Sequence, residues 1–294
     1  ATTWTPRFVQ PRIVPSGSGA IVRHARTLSE SIDLNNLKPL IGEMEAWLEE
    51  VKTRIDPGDG LLASETQAKD REVKKFFADQ ERWRNELMSI QVGIKILEES
   101  RQAWSGRGQQ KDARGCVFEA WVGMNESMAN FMKVRFGHDE GAWRLFQLGF
   151  IIANLPALAS RMPEFAKHYD KGRDDAVTLL YFATGGGKSE AFFGLLVFNL
   201  LLDRLRGKHV GVTAMLRYPL RLLTIQQAQR CAKVLAQADL VRRARGYGGS
   251  PLSIGFWVGS SGSPNRHSDR GVAAIPTINE TSAAAAYETK LCDE

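Results

Sequence analysis

The chain has 294 residues, a net charge of +6 at pH 7 and a pI near 9.3. Its 43% hydrophobic and 24% charged residues are typical of a soluble globular protein. Three widely spaced cysteines (Cys116, Cys231 and Cys292) exclude a disulfide framework and a zinc site within the chain. The longest apolar run, residues 191–202, is shorter than the roughly twenty residues that span a bilayer. We therefore expect a cytoplasmic protein without a membrane segment. Its net positive charge is compatible with an anionic partner.

The first half of the chain predicts helices. Residues 1–28, rich in proline and Ser-Gly, predict an extended lead-in. Residues 37–51 and 73–97 repeat apolar side chains every three or four positions, and turn residues at 56–60 separate them. This pattern predicts an antiparallel helical hairpin within a helical domain at residues 29–140. Gln80, in the apolar seam, either sets the register of the hairpin or marks an exposed polar gap.

A glycine-rich segment carries the strongest chemical signal. Residues 182–189 read Phe-Ala-Thr-Gly-Gly-Gly-Lys-Ser, between an apolar segment at 177–181 that predicts a strand and an apolar helix. Backbone N–H groups of the glycines can surround a polyphosphate, Lys188 can reach the β and γ phosphates, and Ser189 can bind Mg²⁺. We interpret this loop as an ATP and Mg²⁺ site, formed by Thr184, Gly185, Gly186, Gly187, Lys188, Ser189 and Glu190. The alternative is a glycine-rich turn with an incidental lysine.

A second buried strand is predicted at residues 209–216, and a third begins at 254. From 204 to 245 the chain has ten Lys or Arg residues and one acidic residue, Asp239. For Arg230 a solvated helix face and a phosphate contact are equally good interpretations. For Arg217 and Arg221, which follow the predicted strand, we favour contact with a nucleic-acid backbone.

These motifs together resemble the superfamily 2 DNA helicases. Pro219, Arg221, Leu223 and Gln226 have the spacing of motif Ia, and Thr-Gly-Gly-Gly-Lys-Ser resembles motif I of RecQ-like members. The segment 144–147, Arg-Leu-Phe-Gln, resembles the element with which these helicases recognise adenine. Residues 143–262 resemble in sequence the DrmA-like helicases of the DISARM antiphage systems, and Druantia-type and other defence helicases are further possibilities.

The resemblance implies an α/β fold, a RecA-like P-loop parallel sheet forming an incomplete first lobe at residues 141–294. Residues 263–294 would be a loop or insertion. Lys188 and Ser189 would be catalytic, and Arg144 and Gln147 would contact adenine. DNA would be held by Arg217, Pro219, Arg221, Thr224, Gln226, Gly259 and Ser260.

A superfamily 2 motor also needs an acidic box for Mg²⁺ and a second RecA-like lobe. The sequence contains neither, unless Asp293 and Glu294 begin that box, and an unrelated acidic end is the alternative. We therefore expect a fragment, inactive alone, of an ATP-dependent DNA translocase or helicase that works with a protein partner in a bacterial antiphage-defence complex. Two alternatives stay open: a P-loop interaction module without motor activity, and a non-helicase P-loop ATPase.

Overall fold

The computed structural model describes residues 21–60, 62, 64–137, 141–180, 186–218 and 221–255, and this part of the chain is mainly helical. Its α-helices are α1 (Ala25–Glu30), α2 (Pro39–Arg54), α3 (Thr66–Gln102), α4 (Cys116–Phe136), α5 (Leu145–Ala159), α6 (Lys171–Asp174), α7 (Lys188–Leu205) and α8 (Arg221–Ala244). Short 3-10 helices lie at Asn35–Leu37, Ala113–Gly115 and Pro163–His168. The chain divides into two compact units, Ala1–Leu252 and Ser253–Glu294, and all these helices belong to the first.

Helices α2 and α3 form the hairpin that the apolar period predicts. Lys38 pairs with Glu98 at 3.1 Å, and the rings of Trp47 and Trp83 meet edge-on with centroids 5.1 Å apart. Since the residue numbers rise along one helix as they fall along the other, the two helices are antiparallel. Gln80 is only 5% exposed, which excludes the exposed polar gap.

Helix α4 is the centre of the helical unit. Phe118, Trp121, Met124 and Met128 are less than 2% exposed, and residues on the remaining faces of the helix are buried as well. A helix that is buried on every face must be covered by several other elements. Helices α1, α3, α7 and α8 enclose it. The helix ends at Gly137, whose left-handed φ of 77° stops further helical turns.

A buried carboxylate joins α4 to the segments after α3 and α8. Glu119 is fully buried and accepts hydrogen bonds from Trp104 Nε1 at 2.7 Å, Gly108 N at 2.8 Å, Arg245 Nη1 at 2.8 Å and Tyr247 Oη at 2.5 Å. Burial, and then the charge of Glu119, raises the pKa of the Tyr247 hydroxyl. The hydroxyl therefore stays protonated and serves as a donor. With four donors the carboxylate is well satisfied, as a buried charge must be.

Two glycines let neighbouring helices approach closely. A Cβ on Gly93 of α3 would lie 2.2 Å from the carbonyl oxygen of Ile152 on α5. A Cβ on Gly194 of α7 would lie 2.8 Å from Ile151 Cδ1 on α5 and 2.7 Å from the ring of Trp143, which precedes α5. These distances are shorter than real Cβ contacts, so glycine permits both close approaches.

The predicted parallel sheet was wrong. Within the described residues no strand forms, and a single bridge pairs His24 with Ala142. The parts of the predicted strands that lie in the described ranges form no strand and are largely exposed: Val177 is 96% exposed, Val210 82% and Met215 84%. A continuous apolar run is typical of a strand covered by helices on both faces. Here the helices pack on one another instead, so the RecA-like α/β fold is replaced by a mainly helical one.

The predicted boundary between domains at residue 140 stays a prediction, although helices from both sides of it pack together. Across the described ranges, no helix combines the length and apolarity that a bilayer crossing demands.

Replacing Gly93 by alanine is expected to destabilise the protein by about 2 kcal/mol or more, because the new methyl group overlaps a backbone carbonyl that cannot move aside. The matched control is Gly42→Ala in α2, where nothing lies within 4 Å of the added Cβ. That change is expected to stabilise by about 0.5–1 kcal/mol through helix propensity. Urea unfolding followed by circular dichroism measures both. Equal effects of the two substitutions would contradict the close α3–α5 crossing.

Candidate phosphate-binding site

The glycine loop leads directly into an α-helix. Helix α7 begins at Lys188, and Gly187 before it has a left-handed conformation with φ 84° and ψ 25°. A side chain at residue 187 would be strained, and its Cβ would lie 2.7 Å from Gln147 Nε2. Gly186 is buried, while Lys188 and Ser189 are partly exposed. Thr184 and Gly185, the other predicted loop residues, lie outside the described residues.

The start of α5 holds this loop. Arg144 Nη1 donates to the carbonyl oxygen of Gly186 at 2.9 Å, and Gln147 Nε2 donates to that of Gly187 at 2.7 Å. Gln147 Oε1 also accepts from the backbone N–H of Arg144 at 2.8 Å. The structure thus brings the two predicted adenine-contacting residues to the glycine loop. Both ends of the buried Gln147 amide are thus already hydrogen-bonded within the protein. The contact of Gln147 with adenine stays a prediction.

Charged side chains from three helices meet in the first turn of α7. Glu190, 15% exposed, accepts from Arg135 Nη1 at 2.7 Å and from Arg230 Nη2. Arg135 belongs to the last turn of α4 and Arg230 to α8. Arg230 also stands over the Phe193 ring, with Cζ 5.6 Å from the ring centroid.

Sequence reasoning did not find Arg135. Its presence at the loop depends on α4 ending beside the start of α7, and no local pattern reveals that packing. Arg230 was visible as part of the basic run between 204 and 245, where a helix face and a phosphate contact had equal weight.

The predicted nucleic-acid contacts are only partly described. Arg217 is exposed on the irregular segment before α8, and Gln226 is exposed on α8 itself. Arg221 and Thr224 belong to the first turns of α8, but their side chains lie outside the described part. Pro219, Gly259 and Ser260 also lie outside it.

A carboxylate near the end of α7 anchors the segment that leads to Arg217. Asp203 accepts from Arg206 Nη2 at 2.7 Å, Lys208 Nζ at 2.7 Å and Thr213 Oγ1 at 2.8 Å. Burial by itself would raise the pKa of Asp203. The hydrogen bonds from Lys208 and Thr213, and then the charges of Arg206 and Lys208, outweigh burial and hold the pKa below its usual value.

Metal ligands are sparse around the loop. In the described ranges no three or more His, Cys, Asp or Glu side chains group together as a metal site. Ser189, in the first turn of α7, offers a hydroxyl that could join phosphate oxygens around Mg²⁺.

Comparison with known proteins reveals a relation in sequence. The chain is 28% identical over 266 residues to the DISARM protein DrmA of Bacillus paralicheniformis, an alignment that covers 87% of this chain and 22% of that protein. The chain thus spans about a fifth of the length of this relative. The aligned region is longer than residues 143–262, so the relation extends beyond the motif-bearing part. No protein-family model and no solved structure matches the chain.

Replacing Asp203 by asparagine is expected to cost about 3 kcal/mol of stability at pH 7, because it removes the charge from a buried ion-pair cluster. The folded pKa of Asp203 is lowered, so its contribution is complete above the unfolded pKa of about 3.9 and is lost as the pH falls through the folded value.

Urea unfolding at pH 7 and at successively lower pH values measures the difference between wild type and variant, which should shrink in acid. Asp59→Asn, in the exposed turn after α2, is the control and should cost little at either pH. A wild-type advantage that stays constant down to the lowest pH would contradict this role of the carboxylate.

Proposed function

We propose that this chain is the nucleotide-binding part of an ATP-dependent DNA translocase or helicase of superfamily 2, acting in a bacterial antiphage-defence complex. The similarity to DrmA suggests the DISARM defence role and a protein partner. The observation that carries the nucleotide-binding proposal is the glycine loop at the start of α7, held at two carbonyl groups by Arg144 and Gln147.

This geometry suits a polyphosphate for two reasons. The first backbone N–H groups of an α-helix have no partner within the helix, and its N-terminus has a positive partial charge, both of which favour a bound phosphate at the start of the 18-residue α7. Lys188, at the first position of the helix, would add a full positive charge, and Thr184 and Gly185 would complete the loop. The two bonds from α5 engage carbonyl oxygens, so they do not consume the N–H groups that would face a phosphate.

Mg²⁺ would be bound through the Ser189 hydroxyl and would neutralise phosphate charge during transfer. The chain's own residues would fix the nucleotide: Lys188 on the phosphates, the glycine N–H groups around them, and Arg144 with Gln147 at the base of the loop. Contact of Arg144 and Gln147 with the adenine edge is part of this proposal.

DNA binding is proposed for the region around the start of α8. Arg217 and Arg221 would pair with phosphates, while Thr224 and Gln226 would hydrogen-bond the same backbone. Pro219, Gly259 and Ser260 are also proposed to contact DNA. Helix α8 packs on α7, so the two proposed binding elements are neighbours in the helical unit.

An interaction module that binds nucleotide but lacks motor activity is the second candidate. Its support is an aromatic cluster on the hairpin, where Phe76 contacts Phe77 and Trp83 with ring centroids 6.3 Å apart in each pair. Phe77 is 62% exposed, and contiguous exposed apolar side chains are typical of sites that contact another protein.

Lys188→Ala is expected to weaken ATP binding by about tenfold or more, because a charge-assisted contact to phosphate is worth about 1.5–3 kcal/mol. Titration of the purified chain with a fluorescent ATP analogue measures the affinity, and circular dichroism verifies the fold. Lys74→Ala, which removes an exposed lysine from α3, is the matched control and should bind like wild type.

In a longer protein that contains this chain, the same substitution is expected to abolish ATP turnover, and single-stranded DNA should stimulate the wild-type rate. A folded Lys188→Ala variant with wild-type affinity would refute the phosphate site. ATP turnover without any response to DNA would support a non-helicase ATPase, and ATP binding without turnover would support the interaction module.

A further inference from the structure

Two guanidinium groups from neighbouring helices meet at the first turn of α7. Arg135 and Arg230 come from α4 and α8, and both bond to Glu190 in the first turn of α7. Phe193, over which Arg230 stacks, is one turn further along the same helix. Both cations are therefore at the N-terminal end of α7, beside Lys188 and the glycine loop.

Two cations at the N-terminus of α7 need a nearby anion, and Glu190 supplies it. The N-terminus of a helix carries a positive partial charge that stabilises anions and repels cations. Glu190 bonds both arginines, and a single oxygen, Oε1, accepts from each of them. In addition, Arg230 Nε is buried without a hydrogen-bond partner among the described residues. An unmet buried donor is costly, so the guanidinium has capacity for a further acceptor.

We propose that Glu190 is an internal competitor of the nucleotide: it holds Arg135 and Arg230 beside the glycine loop, and the terminal phosphate of a nucleoside triphosphate takes over these guanidinium groups. This inference rests on the proposed nucleotide site and explains how that site would select nucleoside triphosphates over monophosphates. Each further phosphate brings more negative charge toward the two arginines, so they favour ATP over AMP. Arginine suits this role because its planar fork binds phosphate oxygens in pairs.

Glu190 acts against the nucleotide because two negative groups then share one set of cations. Glu190→Gln keeps the shape of the side chain and removes its charge. This substitution is expected to tighten ATP binding by about fivefold, since like-charge repulsion at a partly buried site is relieved. Arg230→Gln and Arg135→Gln are expected to weaken ATP binding by about tenfold each, with little effect on AMP.

The test is a titration of the purified chain with ATP and with AMP, for wild type and each variant. Glu50→Gln and Arg54→Gln are matched controls, since this exposed pair on α2 has an Nη1 to Oε1 distance of 2.8 Å. Neither control should change either affinity. Arg135 is 43% exposed, so Arg135→Gln should fold even if the less exposed positions tolerate substitution poorly.

Two results together would support the inference: tighter ATP binding by Glu190→Gln, and a lower ratio of ATP affinity to AMP affinity in Arg135→Gln. Unchanged or weaker ATP binding by a folded Glu190→Gln would overturn it, and so would an unchanged ratio in Arg135→Gln. If Lys188→Ala nevertheless loses ATP binding, the proposed nucleotide site is still supported while this inference fails. A wild-type chain that binds neither ATP nor AMP overturns the proposed function and this inference with it.

Discussion

The burial of α4 on all its faces governs the arrangement of the helical unit. Each face needs a covering element, and α1, α3, α7 and α8 supply it. Polar groups inside this core find partners, as when Trp143 Nε1 donates to Asn125 Oδ1 at 2.8 Å. Because α7 and α8 both lie against α4, the end of one helix comes beside the start of another. That proximity places Arg135 next to Glu190.

The helices could be read from the sequence because their signal is local. Apolar residues three and four positions apart predict the hairpin, and the structure confirms it. The strands could not be predicted correctly, since a strand also needs neighbours that pair with its backbone. The runs at 177–180 and 209–216 have apolar composition without such neighbours in the described residues. The same property that suggested burial leaves Val177 and Met215 as exposed apolar side chains.

Some residues of the candidate site could likewise be found from a local sequence signal, and others could not. The glycine loop and its lysine are contiguous, so one short segment reveals them. The resemblance to helicases directed attention to Arg144 and Gln147, and the structure brings both to the loop, about 40 residues away along the chain. Arg135 belongs to a helix that carries no recognisable motif. Its contribution follows from the packing of α4 against α7, which depends on side chains distributed over the whole core.

The sheet is not what assembles this site. The groups around the loop come from the end of α4, the starts of α5 and α7, and the middle of α8. A helix N-terminus attracts anions through its own N–H groups and dipole, whether or not strands precede it. The correction of the fold class therefore leaves the anion-binding argument intact. Since Arg230 lies one helical turn after Gln226, the ion pair with Glu190 also connects the glycine loop to the helix proposed to hold DNA. A change in the partner of Arg230 would act on α8 directly, without any strand to transmit it.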